Sequence, residues 1–122
     1  MLEIPKLNIT FKQGDDDILN MTFRYDDGTE VDFSKIKRID MHGKVGKTVV
    51  FKLSSTTSDI EVISVDTKTI RVKVPHTLTE KAAWKKCDYD IQVVEEDQGI
   101  RTICEGHICI DPDVTFIPNV KK

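Results

Sequence analysis

The chain has 122 residues, of which 39% are hydrophobic and 32% charged, and its formal net charge is −3. This length suits one domain with its own core. The weakly acidic balance argues against a nucleic-acid binder, because phosphate binding needs clustered cations. No run approaches the ~18 consecutive apolar residues of a membrane span, and the first residues lack the basic start and apolar stretch of a secretion signal.

Branching at Cβ dominates the apolar composition. The chain has 14 Ile, 12 Val and 12 Thr against only five Leu and two Ala. Branched side chains pack well on a pleated sheet, whereas Leu and Ala are preferred in helices. The composition therefore predicts an all-β protein and argues against helical bundles and α/β enzyme folds.

Strand patterns recur along the whole chain, separated by polar turns. They cover residues 7–11, 18–25, 36–45, 48–53, 60–65, 69–74, 87–93 and 100–110. Seven or eight short strands at this spacing are typical of a β-sandwich or barrel. In the last strand, Gly106 is the expected position of a β-bulge.

One segment, near residues 79–86, predicts a short helix. Thr79 is the expected N-cap, and Trp84 is the expected apolar anchor. The next strand has the clearest alternation in the chain. Its pattern predicts that Tyr89, Ile91 and Val93 face the core while Asp88, Asp90 and Gln92 face outward.

The cysteines predict neither a disulfide nor a metal site. Cys87, Cys104 and Cys109 are odd in number, and without a secretion signal they are expected to be thiols made in a reducing cytoplasm. A zinc site would need Cys104, His107 and Cys109 to converge with Cys87. In a regular strand Cys104 and His107 lie on opposite faces, so we expect no metal.

Two further patterns fail to predict cofactors. Residues 43–48 read Gly-Lys-Val-Gly-Lys-Thr, but a phosphate-binding loop would need its first glycine at position 41, which is Met41. The aspartates at 15–17, 26–27, 111 and 113 lack the spacing of a calcium-binding loop and are typical of surface turns. We therefore expect no nucleotide and no calcium.

The sequence also lacks a recognisable set of catalytic residues. His42, His76 and His107 lie in different segments without an evident Ser or Cys partner. Neither a Gly-x-Ser-x-Gly elbow nor a His-Glu-x-x-His pattern occurs. The sequence therefore predicts a protein that is not an enzyme and needs no cofactor.

The order of the segments resembles a group of small virion proteins of tailed phages. The resemblance begins with Leu7-x-Ile9, a Gln13-Gly14-Asp15 turn and a strand ending at Asp26-Asp27-Gly28. It ends with the Tyr89 strand, the Gly99 turn and a closing strand up to Val114-Thr115. It covers about residues 7–115 and extends to the N-terminal domain of baseplate upper proteins in phages of Gram-positive hosts. Phe33-Ser34-Lys35 departs from the Leu-Thr-Gly link of that group.

This resemblance implies an Ig-like antiparallel β-sandwich that is a non-catalytic part of a phage neck, tail, fibre base or capsid. The implied partners are other virion proteins, with multiple copies per particle, and the protein would be made in the bacterial host cytoplasm. The expected organisation is an N-terminal arm (1–6), one sandwich domain (7–115) and a C-terminal tail (116–122). Apart from the resemblance, the terminal segments contain the apolar residues Ile4, Phe116, Ile117 and Val120, which are expected either to dock on a partner or to pack on their own domain. A carbohydrate- or receptor-binding module is the alternative, with Tyr25, Trp84 and Tyr89 as its aromatic candidates.

Overall fold

The computed structural model describes residues 6–23, 32–97 and 99–111, and strands predominate in these ranges. In chain order the elements are β1 (Ile9–Lys12), β2 (Asp17–Thr22), β3 (Ile36–Val45), β4 (Thr48–Ser54), β5 (Ile60–Ser64), β6 (Thr69–Val74), α1 (Thr77–Glu80), β7 (Lys86–Glu95) and β8 (Ile100–Asp111). Single turns of 3₁₀-helix lie at Phe33–Lys35 and Ser55–Thr57. No helix in the described ranges is long and apolar enough to cross a bilayer.

The strands form two sheets with immunoglobulin topology. The larger sheet has the order β1-β8-β7-β3-β4, and the smaller has the order β2-β6-β5. In the larger sheet β7 lies between β3 and β8, and in the smaller β6 lies between β2 and β5, as strands F and E do in immunoglobulin domains. The predicted all-β Ig-like sandwich is confirmed. One pairing departs from the antiparallel expectation, because β1 runs parallel to β8.

A single hydrophobic cluster joins the facing surfaces of the two sheets. Ile91 and Val93 of β7 are fully buried there, as are Ile70 and Val72 of β6. Tyr89 is also buried, whereas Asp88 is exposed and Asp90 and Gln92 are partly exposed. The predicted inward and outward faces of β7 are therefore confirmed.

The short helix begins earlier than the sequence predicted. It covers Thr77–Glu80 rather than residues 79–86, and His76 occupies the N-cap position expected for Thr79. Thr79 instead lies inside the helix with its side chain buried, and its Oγ1 accepts a hydrogen bond of 2.9 Å from the Gly14 N–H. Its hydroxyl thus satisfies a backbone donor of another segment.

The tryptophan after the helix serves as an anchor, as predicted. Trp84 is half-buried and packs against the hydrophobic cluster. Its ring stacks on that of Phe51 in β4, with centroids 6.2 Å apart and planes 27° apart. The chain between α1 and β7 is therefore fixed to the far edge of the larger sheet.

A β-bulge occurs in β8, but not at Gly106. The register between β7 and β8 shifts where Ile91 pairs with Cys104 and Gln92 pairs with Thr102, which leaves Ile103 as the extra residue. Ile103 and Cys104 are consequently both buried although they are adjacent. Gly106 pairs regularly with Tyr89, so the predicted bulge position is wrong.

The loop between β1 and β2 is tied to the segment before α1 by an aspartate and a histidine. Oδ1 of Asp16 accepts hydrogen bonds from the backbone N–H of His76 at 2.6 Å and from its Nδ1 at 2.9 Å. The hydrogen bond from the His76 backbone, followed by the one from its ring, lowers the pKa of Asp16. The same carboxylate raises the pKa of His76 above the ordinary 6.5.

We predict that Ile91→Ala lowers the free energy of unfolding by about 2–5 kcal/mol, because it leaves a cavity in the centre of the core. Chemical denaturation measures this change. Lys52→Ala, at an exposed position of β4, is the control and should stay within about 0.5 kcal/mol of the parent. Equal stability of the two variants would contradict the central place of Ile91.

We predict that Asp16→Asn lowers the pKa of His76 in an NMR titration, whereas Asp15→Asn leaves it unchanged. In the parent, the pair stabilises the fold most when Asp16 is ionised and His76 is protonated. The His76 contribution is present below pH 6.5 and is lost as the pH rises through its raised pKa. The Asp16 contribution is present above pH 3.8 and is lost as the pH falls through its lowered pKa. An unchanged His76 pKa in Asp16→Asn would refute the pairing.

Candidate functional site

The outer face of the larger sheet contains a cavity of about 640 Å³. Outward-facing residues of three adjacent strands line most of it. They are His42 and Lys44 from β3, Asp88, Asp90 and Gln92 from β7, and Glu105 and His107 from β8. Lys6 and Asn8, which precede β1, complete one side. The residues that line the cavity are therefore mostly polar in type, although their carbon atoms form nearly half of its surface, whereas the other side of the same strands forms the hydrophobic core.

Strand register places these side chains in two rows. In the first row, Lys44, Asp88 and His107 are successive neighbours across β3, β7 and β8. Nδ1 of His107 lies 2.7 Å from Oδ1 of Asp88, so this pair is hydrogen-bonded. The carboxylate fixes the orientation of the imidazole, as in many sites where a histidine binds or transfers a proton.

The second row brings two carboxylates directly opposite each other. Asp90 of β7 lies opposite Glu105 of β8 in the strand register, and His42 lies opposite Asp90 on β3. On the other side of Glu105, the backbone of Lys6 forms an isolated parallel β-bridge with that of Glu105. Side chains directly opposite in antiparallel strands have Cβ atoms about 5 Å apart, so the two carboxyl-bearing side chains are neighbours on the same face of the sheet. Neither carboxylate belongs to any ion pair within 4.0 Å in the part of the chain that the structure describes.

A buried tyrosine holds the N-terminal side of the cavity. The Tyr89 hydroxyl donates a hydrogen bond of 2.6 Å to the carbonyl oxygen of Leu7 and lies 3.4 Å from Sγ of Cys104. Burial raises the pKa of Tyr89 far above its ordinary range, so the hydroxyl stays protonated and available as a donor.

The close approach of Leu7 requires a glycine at position 106. A Cβ atom on Gly106 would overlap the Leu7 carbonyl oxygen. With the glycine in place, the Leu7 N–H donates to the Glu105 carbonyl at 2.9 Å, and the His107 N–H donates to Oδ1 of Asn8 at 3.0 Å. The role of Gly106 is therefore to admit the N-terminal segment rather than to form a bulge.

The cysteines and His107 do not come together. Cys87 and Cys104 are buried in the core, whereas Cys109 is exposed, and all three are unpaired. Burial, assisted by the nearby Asp88 charge, raises the pKa of Cys87 to about 11, and burial also raises that of Cys104. Among the described residues, no group of three His, Cys, Asp or Glu side chains has an arrangement that could hold a metal ion.

The remaining residues singled out from the sequence are distributed as follows. Trp84 and Tyr89 are packed against or within the core, and His76 is bonded to Asp16 away from the cavity. Several others lie outside the described residues, so the structure does not place them. These are Ile4, Tyr25, Phe116, Ile117 and Val120.

Sequence reasoning missed the cavity although it placed Asp88, Asp90 and Gln92 on the outer face of β7. The missing information is that β3 and β8 flank β7, which brings His42 and His107 to the two sides of these carboxylates. Chemically, the arrangement offers two unpaired carboxylates, one oriented imidazole and two lysines. The lining contains no Ser, Thr or Cys side chain that the imidazole could activate.

Comparisons with known proteins add little to this geometry. No protein-family model matches the sequence, and no curated protein matches it. Among solved structures, the chain is similar to a 2,6-sialyltransferase of Photobacterium sp. determined with CMP and lactose, at 10% identity and a TM-score of 0.38. That match covers 92% of this chain but only 19% of the sialyltransferase chain. A likeness this remote carries no argument about function.

We predict that Tyr89→Phe destabilises the protein by about 1–3 kcal/mol, because the Leu7 carbonyl loses its buried donor while the ring remains. Hydrogen exchange should accelerate most at the Leu7 and His107 amides, which hold the N-terminal segment to β8. Amides of β3 and β4 serve as the internal reference. A uniform change with no excess at Leu7 and His107 would contradict the anchoring role of the hydroxyl.

Proposed function

We propose that this protein is a non-catalytic structural component of a tailed bacteriophage particle and acts through contacts with other virion proteins. The main support for the proposal is that the order of segments in the sequence and the order of strands in the two sheets indicate the same Ig-like fold. The sequence resembles a group of Ig-like virion proteins, and the described strands adopt the Ig-like arrangement expected of that group. The protein is made in the host cytoplasm and assembles in several copies at a neck, tail, fibre base or capsid.

The sheet edges support a role in protein contacts. Edge strands offer unpaired backbone groups to a partner chain. Three of the four edge strands also expose large apolar side chains, namely Ile18 on β2, Val49 on β4, and Val62 and Ile63 on β5. The terminal residues Ile4, Phe116, Ile117 and Val120 are further proposed contacts.

A carbohydrate- or receptor-binding module remains the second candidate, because the cavity offers such a module a place to bind a ligand. Sugar sites usually combine polar side chains with an exposed aromatic ring. Tyr89 has a buried ring, and Trp84 stacks on Phe51 rather than standing free over the cavity. The cavity therefore fits a charged ligand better than a neutral sugar.

We predict that mass spectrometry of purified particles detects the full-length protein at a fixed ratio to the major capsid protein. Absence from intact particles would reject the virion assignment and leave the binding module as the first candidate. Loss of the protein on mild dissociation, together with one tail or neck component, would identify its neighbour.

A truncation tests the proposed contact residues separately. A variant lacking residues 1–5 and 116–122 retains Lys6 and all eight described strands, so circular dichroism should show a folded domain. We expect this variant to be lost from particles. Incorporation at the normal copy number would instead assign the contacts to the edge strands.

A further inference from the structure

Two carboxylates in the outer-face cavity differ from every other carboxylate in the strands of the larger sheet. Asp40 pairs with Arg38, Glu95 with Arg101, Asp111 with Lys12 and Asp88 with His107. Asp90 and Glu105 have no such partner among the described residues, although they face each other across β7 and β8. The free protein thus has two adjacent acidic residues in a concave site without an ion-pair partner among the described residues.

Two lysines lie near Asp90 and Glu105, but neither forms an ion pair with these carboxylates. Lys6 lies beyond Glu105 on the β1 side, and Lys44 lies on β3, one row away from Asp90. Neither lysine forms an ion pair within 4.0 Å of Asp90 or Glu105. The lysines therefore flank the carboxylates on opposite sides without neutralising them.

A guanidinium group matches this arrangement better than a metal ion or an ammonium ion. The described residues provide no three-ligand metal cluster. A guanidinium is planar and has five N–H donors, so it can donate to two carboxylates at once, whereas an ammonium is a compact point charge with stronger hydration. Gln92 and His42 line the same cavity and offer additional polar contacts to the group that carries the guanidinium.

We infer that the cavity is the binding site for an arginine side chain presented by a partner protein, with Asp90 and Glu105 as the carboxylates that receive its guanidinium. The cavity volume of about 640 Å³ exceeds that of one side chain and accommodates the flanking backbone as well. Lys6 and Lys44 then face carbonyl or acidic groups next to that arginine. The inference rests on the proposed function, since the arginine belongs to a protein that this chain contacts.

The test uses capped tripeptides and the full-length protein labelled with ¹⁵N. The probe is acetyl-Gly-Arg-Gly-amide, and the comparison peptides carry lysine or the neutral isostere citrulline in place of arginine. We expect saturable shifts at the backbone amides of Asp90, Gln92 and Glu105 with the arginine peptide, weaker shifts with lysine and none with citrulline. Equal shifts with the lysine or citrulline peptide, or no shifts with arginine, would overturn the inference.

Matched variants separate the site from general charge attraction. Asp90→Asn combined with Glu105→Gln should weaken binding of the arginine peptide by about tenfold or more. Glu61→Gln combined with Asp66→Asn changes the net charge equally but alters residues of the smaller sheet and its turn, so binding should be unchanged. Equal weakening in both double variants would show a non-specific charge effect and would reject the site.

The peptide titrations of the parent and of the variants use isolated protein, so a negative result there would not affect the mass spectrometry of particles. Absence of the protein from particles, in turn, would not affect the measured peptide binding.

Discussion

The alternation of side chains along β7 is the constraint on which both the core and the outer-face cavity depend. Alternate side chains of a strand point to opposite faces, so the residues that fill the core and those that line the cavity are interleaved. Ile91 is fully buried, and its neighbours Asp90 and Gln92 line the outer cavity. A shift of one residue in this strand would place two charges in the core and remove the site at the same time. The packing of the core and the lining of the cavity therefore have a common origin.

The Tyr89 hydroxyl links the two faces of the larger sheet. The ring belongs to the core, yet its oxygen reaches the Leu7 carbonyl and so helps to hold Lys6 and Asn8 beside the cavity. Gly106 makes this possible because any side chain there would occupy the position of the Leu7 carbonyl. One interior hydrogen bond and one missing side chain thus determine where the N-terminal segment lies on the outer face.

The sequence was sufficient to predict which segments form strands and which side chains face the core. It was not sufficient to predict which side chains lie next to each other on adjacent strands. Strict alternation in residues 87–93 predicted the inward and outward sides of β7 because the period of two is a local property. The pairing of Asp88 with His107 and of Asp90 with Glu105 depends on register between strands, which the bulge at Ile103 shifts. The predicted start of the helix was wrong for a similar reason. The Thr79 hydroxyl accepts a hydrogen bond from the distant Gly14 N–H instead of capping the start of its own helix.

The pairing of β1 with β8 has a consequence for how the molecule forms. These strands lie nearly one hundred residues apart, since Ile9 pairs with Ile108 and Phe11 with Ile110. A contact between such distant segments is gained only after the conformational entropy cost of closing the intervening loop has been met. During synthesis on the ribosome, β1 emerges first but has no partner until β8 has left the exit tunnel. Lys6 and Asn8 can take their places beside β8 only when β8 is available, so the cavity cannot be complete before β8 has been synthesised.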